Sequence, residues 1–136
     1  MNRFFGVALV AFALAIAIIP HFTDCQSQGK AISLPNGMTV PMKCHWTAQA
    51  EIATAVPLAV VGGVMFATKR KESRTILAIT GTTLGALAIL IPIKLIGVCS
   101  SAMLCHTLMQ PSLVVLGSLA IVASLSNLAF VHEVKV

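Results

Sequence analysis

The chain has 136 residues, of which 57% are hydrophobic and only 10% are charged, and its mean hydropathy is +0.95. Soluble domains carry about 25% charged residues, so this composition is typical of a membrane protein and leaves no room for a separate soluble domain. The formal net charge of +5 does not indicate a nucleic-acid partner, because the basic residues fall mainly in short segments beside apolar stretches.

Four apolar stretches are long enough to cross a bilayer as helices, since a span needs roughly twenty apolar residues. They lie at about 4–20, 48–68, 75–98 and 112–132. Between them lie two outer loops and an inner linker, at about 21–47, 99–111 and 69–74. The first stretch also resembles a signal peptide, but no small-residue cleavage site follows it, so we expect a retained anchor. We predict a single integral membrane domain over 1–136.

Positive charge concentrates on one predicted side of the membrane. The basic residues of that side are Lys69, Arg70, Lys71 and Arg74 in the linker, with Arg3 and Lys135 near the two ends. Cytoplasmic segments of membrane proteins are enriched in Lys and Arg. We therefore expect both termini and the linker to be cytoplasmic.

One short phrase occurs twice in the chain. Met42-Lys43-Cys44-His45 and Met103-Leu104-Cys105-His106 both read Met-x-Cys-His, and each follows an Ile-Pro pair and an upstream cysteine, Cys25 or Cys99. A direct repeat of this kind relates two halves about an axis along the membrane normal. The predicted fold is an all-α membrane protein, a four-transmembrane-helix bundle built from two helix-hairpin repeats.

The first outer loop contains a predicted extracytoplasmic β-hairpin, because Pro35-Asn36-Gly37 separates two short alternating segments. Cys25 and Cys44 bracket this hairpin, and Cys99 and Cys105 bracket the start of the second outer loop. Disulfides persist outside the cytoplasm, so we expect one bridge within each half, of which Cys25–Cys44 would staple the hairpin, although four cysteines permit three pairings.

Two functional alternatives stay open for the repeated phrase. A soft-metal site for copper or zinc would draw on Met42, Cys44, His45, Met103, Cys105, His106 and Met109. A thiol–disulfide oxidoreductase that passes electrons to a quinone would use the four outer cysteines, but the chain lacks the Cys-x-x-Cys spacing that commonly activates a thiolate. Copper, zinc, haem and quinone all remain open as cofactors, and none is predicted over the others.

Two charged residues fall inside the predicted spans. Glu51 and Lys94 each lie roughly 6–8 Å below the outer boundary, at 1.5 Å of rise per residue. Equal depth predicts a buried ion pair between neighbouring helices, and the alternative is a proton or ion relay. Trp46, at the entrance of the second span, is predicted to be an interface anchor.

The string MKCHWTAQAE at 42–51, together with LIGVC at 95–99, the later Met103-x-Cys105 and Pro111, resembles a family of small prokaryotic membrane proteins. This family is the uncharacterised "domain of unknown function 4418", and the resemblance covers essentially the whole chain. It implies four spans in the prokaryotic cytoplasmic (inner) membrane and an association with ABC-type exporter components, and it implies no known activity.

The predicted function is that of a small non-catalytic membrane protein, an accessory or interaction subunit of a membrane transport assembly. The chain is small, its polar core is sparse, and its ordered outer cap suits docking. The expected partners are the lipid bilayer and either an ABC-type transporter component or a second copy of the chain, with no nucleic acid. Whether the protein is an enzyme stays open, and the non-catalytic reading is favoured.

Overall fold

A computed structural model of the chain describes residues 2–100 and 102–133; Met1, Ser101 and 134–136, including Lys135, lie outside them. The helices are α1 (Asn2–Thr23), α2 (Lys43–Ala67), α3 (Lys71–Leu90) and α4 (Gln110–Glu133). A short π-helical segment, Ile91–Leu95, extends α3, and a second one, Cys105–Met109, leads into α4. Two short strands, β1 (Ile32–Ser33) and β2 (Thr39–Val40), lie between α1 and α2.

Four continuous helical stretches are long and apolar enough to cross a membrane: Arg3–Thr23, Lys43–Ala67, Lys71–Leu95 and Cys105–Glu133. Helices are the expected form because a bilayer offers no water to the backbone, so each span must satisfy its own N–H and C=O groups. The second helix already begins at Lys43, and the fourth at Cys105. Both Met-x-Cys-His phrases therefore stand at helix entrances, and these helices begin earlier than the predicted loop bounds of about 21–47 and 99–111 implied.

The bundle consists of two helix pairs, because α1 packs mainly on α2 and α3 packs mainly on α4. Each pair meets at two reciprocal glycines. A Cβ atom on Gly6 would lie 2.8 Å from the Gly62 carbonyl oxygen, and one on Gly62 would lie 2.9 Å from the Gly6 oxygen. In the same way, a Cβ atom on Gly85 would lie 3.0 Å from the Gly117 carbonyl oxygen, and one on Gly117 would lie 2.9 Å from the Gly85 oxygen. Small residues of this kind let membrane helices approach until dispersion holds them together.

The predicted hairpin is present as a two-stranded antiparallel sheet. Ile32 lies opposite Val40 and Ser33 opposite Thr39. The N–H of Gly37 donates to the Leu34 carbonyl at 3.0 Å, and Gly37 has a φ of 80°, which glycine adopts without steric cost. The hairpin leaves the bundle at the same end as all four cysteines.

The glycine contact between α1 and α2 yields a stability test. Gly62→Leu would push a side chain into the backbone of α1, and overpacking of a well-packed site typically costs about 1–3 kcal/mol. We expect the free energy of unfolding to fall by an amount at the upper end of this range, as measured by thermal unfolding in detergent. Gly63→Leu is the matched control, because a Cβ atom there has no neighbour within 4 Å. Equal losses in the two variants would contradict the proposed packing.

Candidate metal centre

All four cysteine sulfurs converge at one end of the bundle. Cys25 follows α1, Cys44 lies in the first turn of α2, Cys99 follows the π-helical end of α3, and Cys105 opens the segment before α4. Their Sγ atoms all lie within 4.8 Å of one another. Four separate chain segments thus each contribute one sulfur to a single cluster.

The shortest sulfur contacts join the two halves of the chain. Cys44 Sγ lies 2.7 Å from Cys105 Sγ and 3.1 Å from Cys99 Sγ, while Cys25 Sγ lies 3.6 Å from Cys105 Sγ. A disulfide bond is about 2.05 Å long, so these contacts are not covalent. The expected bridges within each half, Cys25–Cys44 and Cys99–Cys105, are not formed in this structure. The side chains turn toward the bundle axis, where sulfurs of both halves meet.

The cluster is mostly shielded from solvent. Cys25, Cys44 and Cys105 are fully buried, and Cys99 is partly exposed. The backbone N–H of Cys99 donates to Cys44 Sγ at 3.3 Å. This bond fastens the segment that carries Cys99 to the first turn of α2.

The two cysteines outside the membrane-spanning helices differ in acidity. Burial raises the pKa of the Cys25 thiol to about 11. Burial also opposes ionisation of Cys99, but the hydrogen bonds with the neighbouring cysteines, that from Cys44 first, together outweigh this effect and lower the pKa of Cys99. Cys99 is therefore the most exposed of the four cysteines, and its thiol ionises more readily than that of Cys25.

The size of the cluster matches a single tetrahedral ion. Zinc–sulfur bonds of about 2.3 Å place the four sulfurs of a tetrahedral site about 3.8 Å apart. The observed separations, from 2.7 Å up to at most 4.8 Å, bracket this value. An iron–sulfur cluster distributes its cysteines over several irons and needs a wider arrangement. Four thiolates suit Zn²⁺ or Cu(I), which prefer soft ligands.

The histidines of the repeated phrase do not join the sulfurs. His45 Nδ1 lies 3.1 Å from Asp24 Oδ2, and His106 is exposed. Successive side chains of a helix diverge by about 100°, so a buried Cys44 turns its neighbour His45 away from the cluster. This contact links the residue before Cys25 to the residue after Cys44, so it positions both sulfurs.

Asp24 accepts a second hydrogen bond, from the Ser27 backbone N–H at 2.8 Å. Burial alone would raise the pKa of this carboxyl, but the hydrogen bonds from His45 and Ser27 outweigh burial and lower it. An ionised carboxylate therefore anchors the chain between α1 and the hairpin. This positioning role of Asp24 was not predicted from the sequence.

The predicted methionine ligands occupy three different environments. Met103 Sδ lies 3.8 Å from Cys25 Sγ, whose thiol donates to it. Met42 packs against the edge of the apolar core, and Met109 is fully buried within that core. Met103 is thus the methionine that the structure brings into contact with the sulfur cluster.

Thr47 is a further positioning residue, which the sequence analysis missed. It lies one turn after Cys44 on the buried face of α2, and its hydroxyl donates to the Gly97 carbonyl at 2.6 Å. Gly97 has a φ of 78° and follows the π-helical turn, so this bond fixes the segment that carries Cys99. The three-residue spacing from Cys44 was the signal that could have revealed it.

The predicted ion pair between Glu51 and Lys94 is not formed in the structure. Glu51 is fully buried, and neither of its oxygens has a hydrogen-bond partner among the described residues. Lys94 is exposed. It lies in the π-helical segment, whose wider turn changes the direction of the side chains that follow Ile91.

Trp46 is 57% exposed in the first turn of α2 and meets His45 edge to face. An aromatic anchor at a membrane interface needs such exposure, because its ring must reach the lipid headgroups. Its role as an anchor stays a prediction.

A family model described as "Domain of unknown function (DUF4418)" matches residues 6–130 of the chain. The chain belongs to this family. The match includes all four cysteines and Glu51, and it confirms the membership predicted from the MKCHWTAQAE string. Comparisons with curated proteins and with solved structures find no significant match. The function of this DUF4418 protein must therefore be inferred from its own site.

The exposure of the sulfurs predicts an order of thiol reactivity. In reduced, metal-free protein, iodoacetamide should modify Cys99 several times faster than Cys25, Cys44 or Cys105, because Cys99 is partly exposed and the others are buried. Mass spectrometry of the labelled peptides gives the order. In denaturant all four should react at similar rates. The same uniform labelling of the folded protein would contradict a buried cluster.

The unpartnered carboxyl of Glu51 predicts a gain in stability on its removal. Leaving a buried polar group unsatisfied costs about 1–3 kcal/mol, so Glu51→Leu should raise the free energy of unfolding by about that amount. Glu72→Leu is the control, since Glu72 is exposed and its change should stay within about 0.5 kcal/mol. A loss of stability in Glu51→Leu would mean that the carboxyl has a partner in the folded protein.

Proposed function

We propose that this DUF4418 protein binds a soft metal ion, Zn²⁺ in the first place and Cu(I) in the second, at one end of a membrane helix bundle. The ligands are Cys25, Cys44, Cys99 and Cys105. The observation that carries the proposal is the convergence of four sulfurs, from four chain segments, within 4.8 Å of one another. Zinc ranks first because it commonly takes four thiolates in a closed tetrahedral shell.

A closed shell favours a structural role for the ion over a catalytic one. Catalytic zinc keeps one position open for water or substrate, whereas four cysteine ligands fill a tetrahedral site. The ion would join the ends of all four helices, so its binding free energy would add to the stability of the fold. Met103, in contact with Cys25, would pack beside the shell.

This role fits the broader function expected from the sequence, that of a non-catalytic accessory or interaction subunit in a membrane assembly. A metal-tied cap would present a rigid surface at one end of the bundle. We place this end outside the cytoplasm, because Lys69 and Arg70 between α2 and α3, with Lys71 at the start of α3, lie at the opposite end, and such basic segments favour the cytoplasmic side. Both termini would then be cytoplasmic, in the prokaryotic cytoplasmic membrane.

Metal analysis of the purified protein tests the proposal. After anaerobic purification in mild detergent with a reductant, we expect about one zinc or copper ion per chain by inductively coupled plasma mass spectrometry. Cys44→Ser should lower the affinity by at least about 100-fold, since even changes outside the ligand shell cost about 10–100-fold. His106→Ser should retain the ion, because His106 is exposed although it adjoins Cys105.

A second measurement separates metal binding from thiol chemistry. Intact-mass analysis under non-denaturing and then denaturing conditions should show a metal-bound protein whose four thiols are all reduced. A metal-free chain that has lost four hydrogens would contain two disulfides. That result would overturn the metal proposal and favour either stapling or thiol–disulfide exchange.

A further inference from the structure

The hairpin between α1 and α2 has one apolar face and one polar face. Ile32 lies opposite Val40, and the Leu34 N–H donates to the Met38 carbonyl at 2.8 Å, so these two residues form the next pair toward the turn. Side chains alternate between the faces of a strand, and directly opposite residues share a face. The four apolar side chains therefore lie together, and Ser33 and Thr39 lie on the other face.

The apolar face has no cover in the described part of the chain. Its side chains are 52% (Ile32), 40% (Leu34), 64% (Met38) and 41% (Val40) exposed. A contiguous apolar patch on an ordered element generally marks a binding surface rather than a chance exposure. The register creates this patch, because a slip of one residue would mix the polar and apolar side chains.

The hairpin is held close to the plane at which the helices leave the membrane. Val40 precedes the first residue of α2, Lys43, by three residues, so an extended chain separates them by no more than about 10 Å. Phe22 near the end of α1 is 70% exposed and Trp46 near the start of α2 is 57% exposed. Aromatic side chains at such positions are typical of a lipid headgroup region. The hairpin therefore lies close to the level at which the spans would leave a bilayer.

The charges around the hairpin complement phospholipid. Lys30 and Lys43 lie on its two sides and are exposed, and the sequence from 25 to 50 contains no Asp or Glu. Juxtamembrane lysines attract anionic headgroups. A stable protein interface buries about 800 Å² on each partner, which is far more than one face of a nine-residue hairpin offers. Lipid is therefore the occupant that the area and the charge favour.

We propose that the hairpin lays its apolar face on the surface of the same bilayer, with Ile32, Leu34, Met38 and Val40 at the boundary between headgroups and acyl chains. Lys30 and Lys43 would bind lipid phosphates. The contact resembles that of an interfacial amphipathic element, in which apolar burial and attraction to anionic lipid act together. This inference rests on the hairpin alone and does not depend on metal binding.

Tryptophan quenching in vesicles tests the proposal. The chain contains one tryptophan, so Trp46→Phe provides a silent background in the full-length protein. Met38→Trp then reports on the apolar face, and Thr39→Trp, the neighbouring residue, reports on the polar face. In phosphatidylcholine–phosphatidylglycerol vesicles with brominated acyl chains, we expect the Met38→Trp emission to be quenched several times more strongly than that of Thr39→Trp.

The substitutions at Met38 and Thr39 could themselves disturb β2, so a second pair of reporters, Leu34→Trp on the apolar face and Ser33→Trp on the polar face, repeats the measurement from the other strand. Circular dichroism checks that each variant is folded. Adding Lys30→Gln and Lys43→Gln should reduce the quenching in vesicles rich in phosphatidylglycerol. Equal, weak quenching on both faces would overturn the proposal. So would an unquenched but blue-shifted emission from the apolar face, because protein rather than lipid would then cover it.

Discussion

The architecture depends on the close approach of helix backbones at two pairs of glycines. Gly6 faces Gly62 between α1 and α2, and Gly85 faces Gly117 between α3 and α4, with no room at either contact for a side chain. In lipid, where water does not drive helices together, such contacts let dispersion hold a bundle. They hold α1 against α2 and α3 against α4, and the two resulting pairs pack side by side, mainly through α1 on α4 and α2 on α3.

The sulfur cluster lies at one end of the bundle, where the two helix pairs meet. Cys25 and Cys44 come from one helix pair, and Cys99 and Cys105 come from the ends of the other. Because the shortest sulfur contacts run between the pairs, a bound ion would join two units that otherwise share fewer contacts. Asp24 with His45, and Thr47 with the Gly97 carbonyl, hold three of the four cysteine segments in place before any ion binds.

Much of the fold could be predicted because it follows from local chemistry. Long apolar stretches in lipid have to be helical, and Pro35-Asn36-Gly37 between two short alternating segments favours a hairpin turn. The geometry of the site was harder to predict. The repeated Met-x-Cys-His phrase contains two of the four cysteines that the structure brings together, but it also suggested histidine ligands and bridges within each half. Which side chain of a helix end faces the axis depends on helix rotation, and spacing along the chain does not specify it.

Lys94 illustrates the same limit. Its depth in the third span agreed with that of Glu51, but the π-helical turn from Ile91 to Leu95 directs it outward, and Glu51 remains without a partner among the described residues. The sequence by itself determined the four apolar helices, the hairpin turn and the family. Only the tertiary structure decided that four distant cysteines share one point and that the hairpin keeps one apolar face uncovered. Both outcomes depend on helix rotation and strand register, which arise when the elements pack.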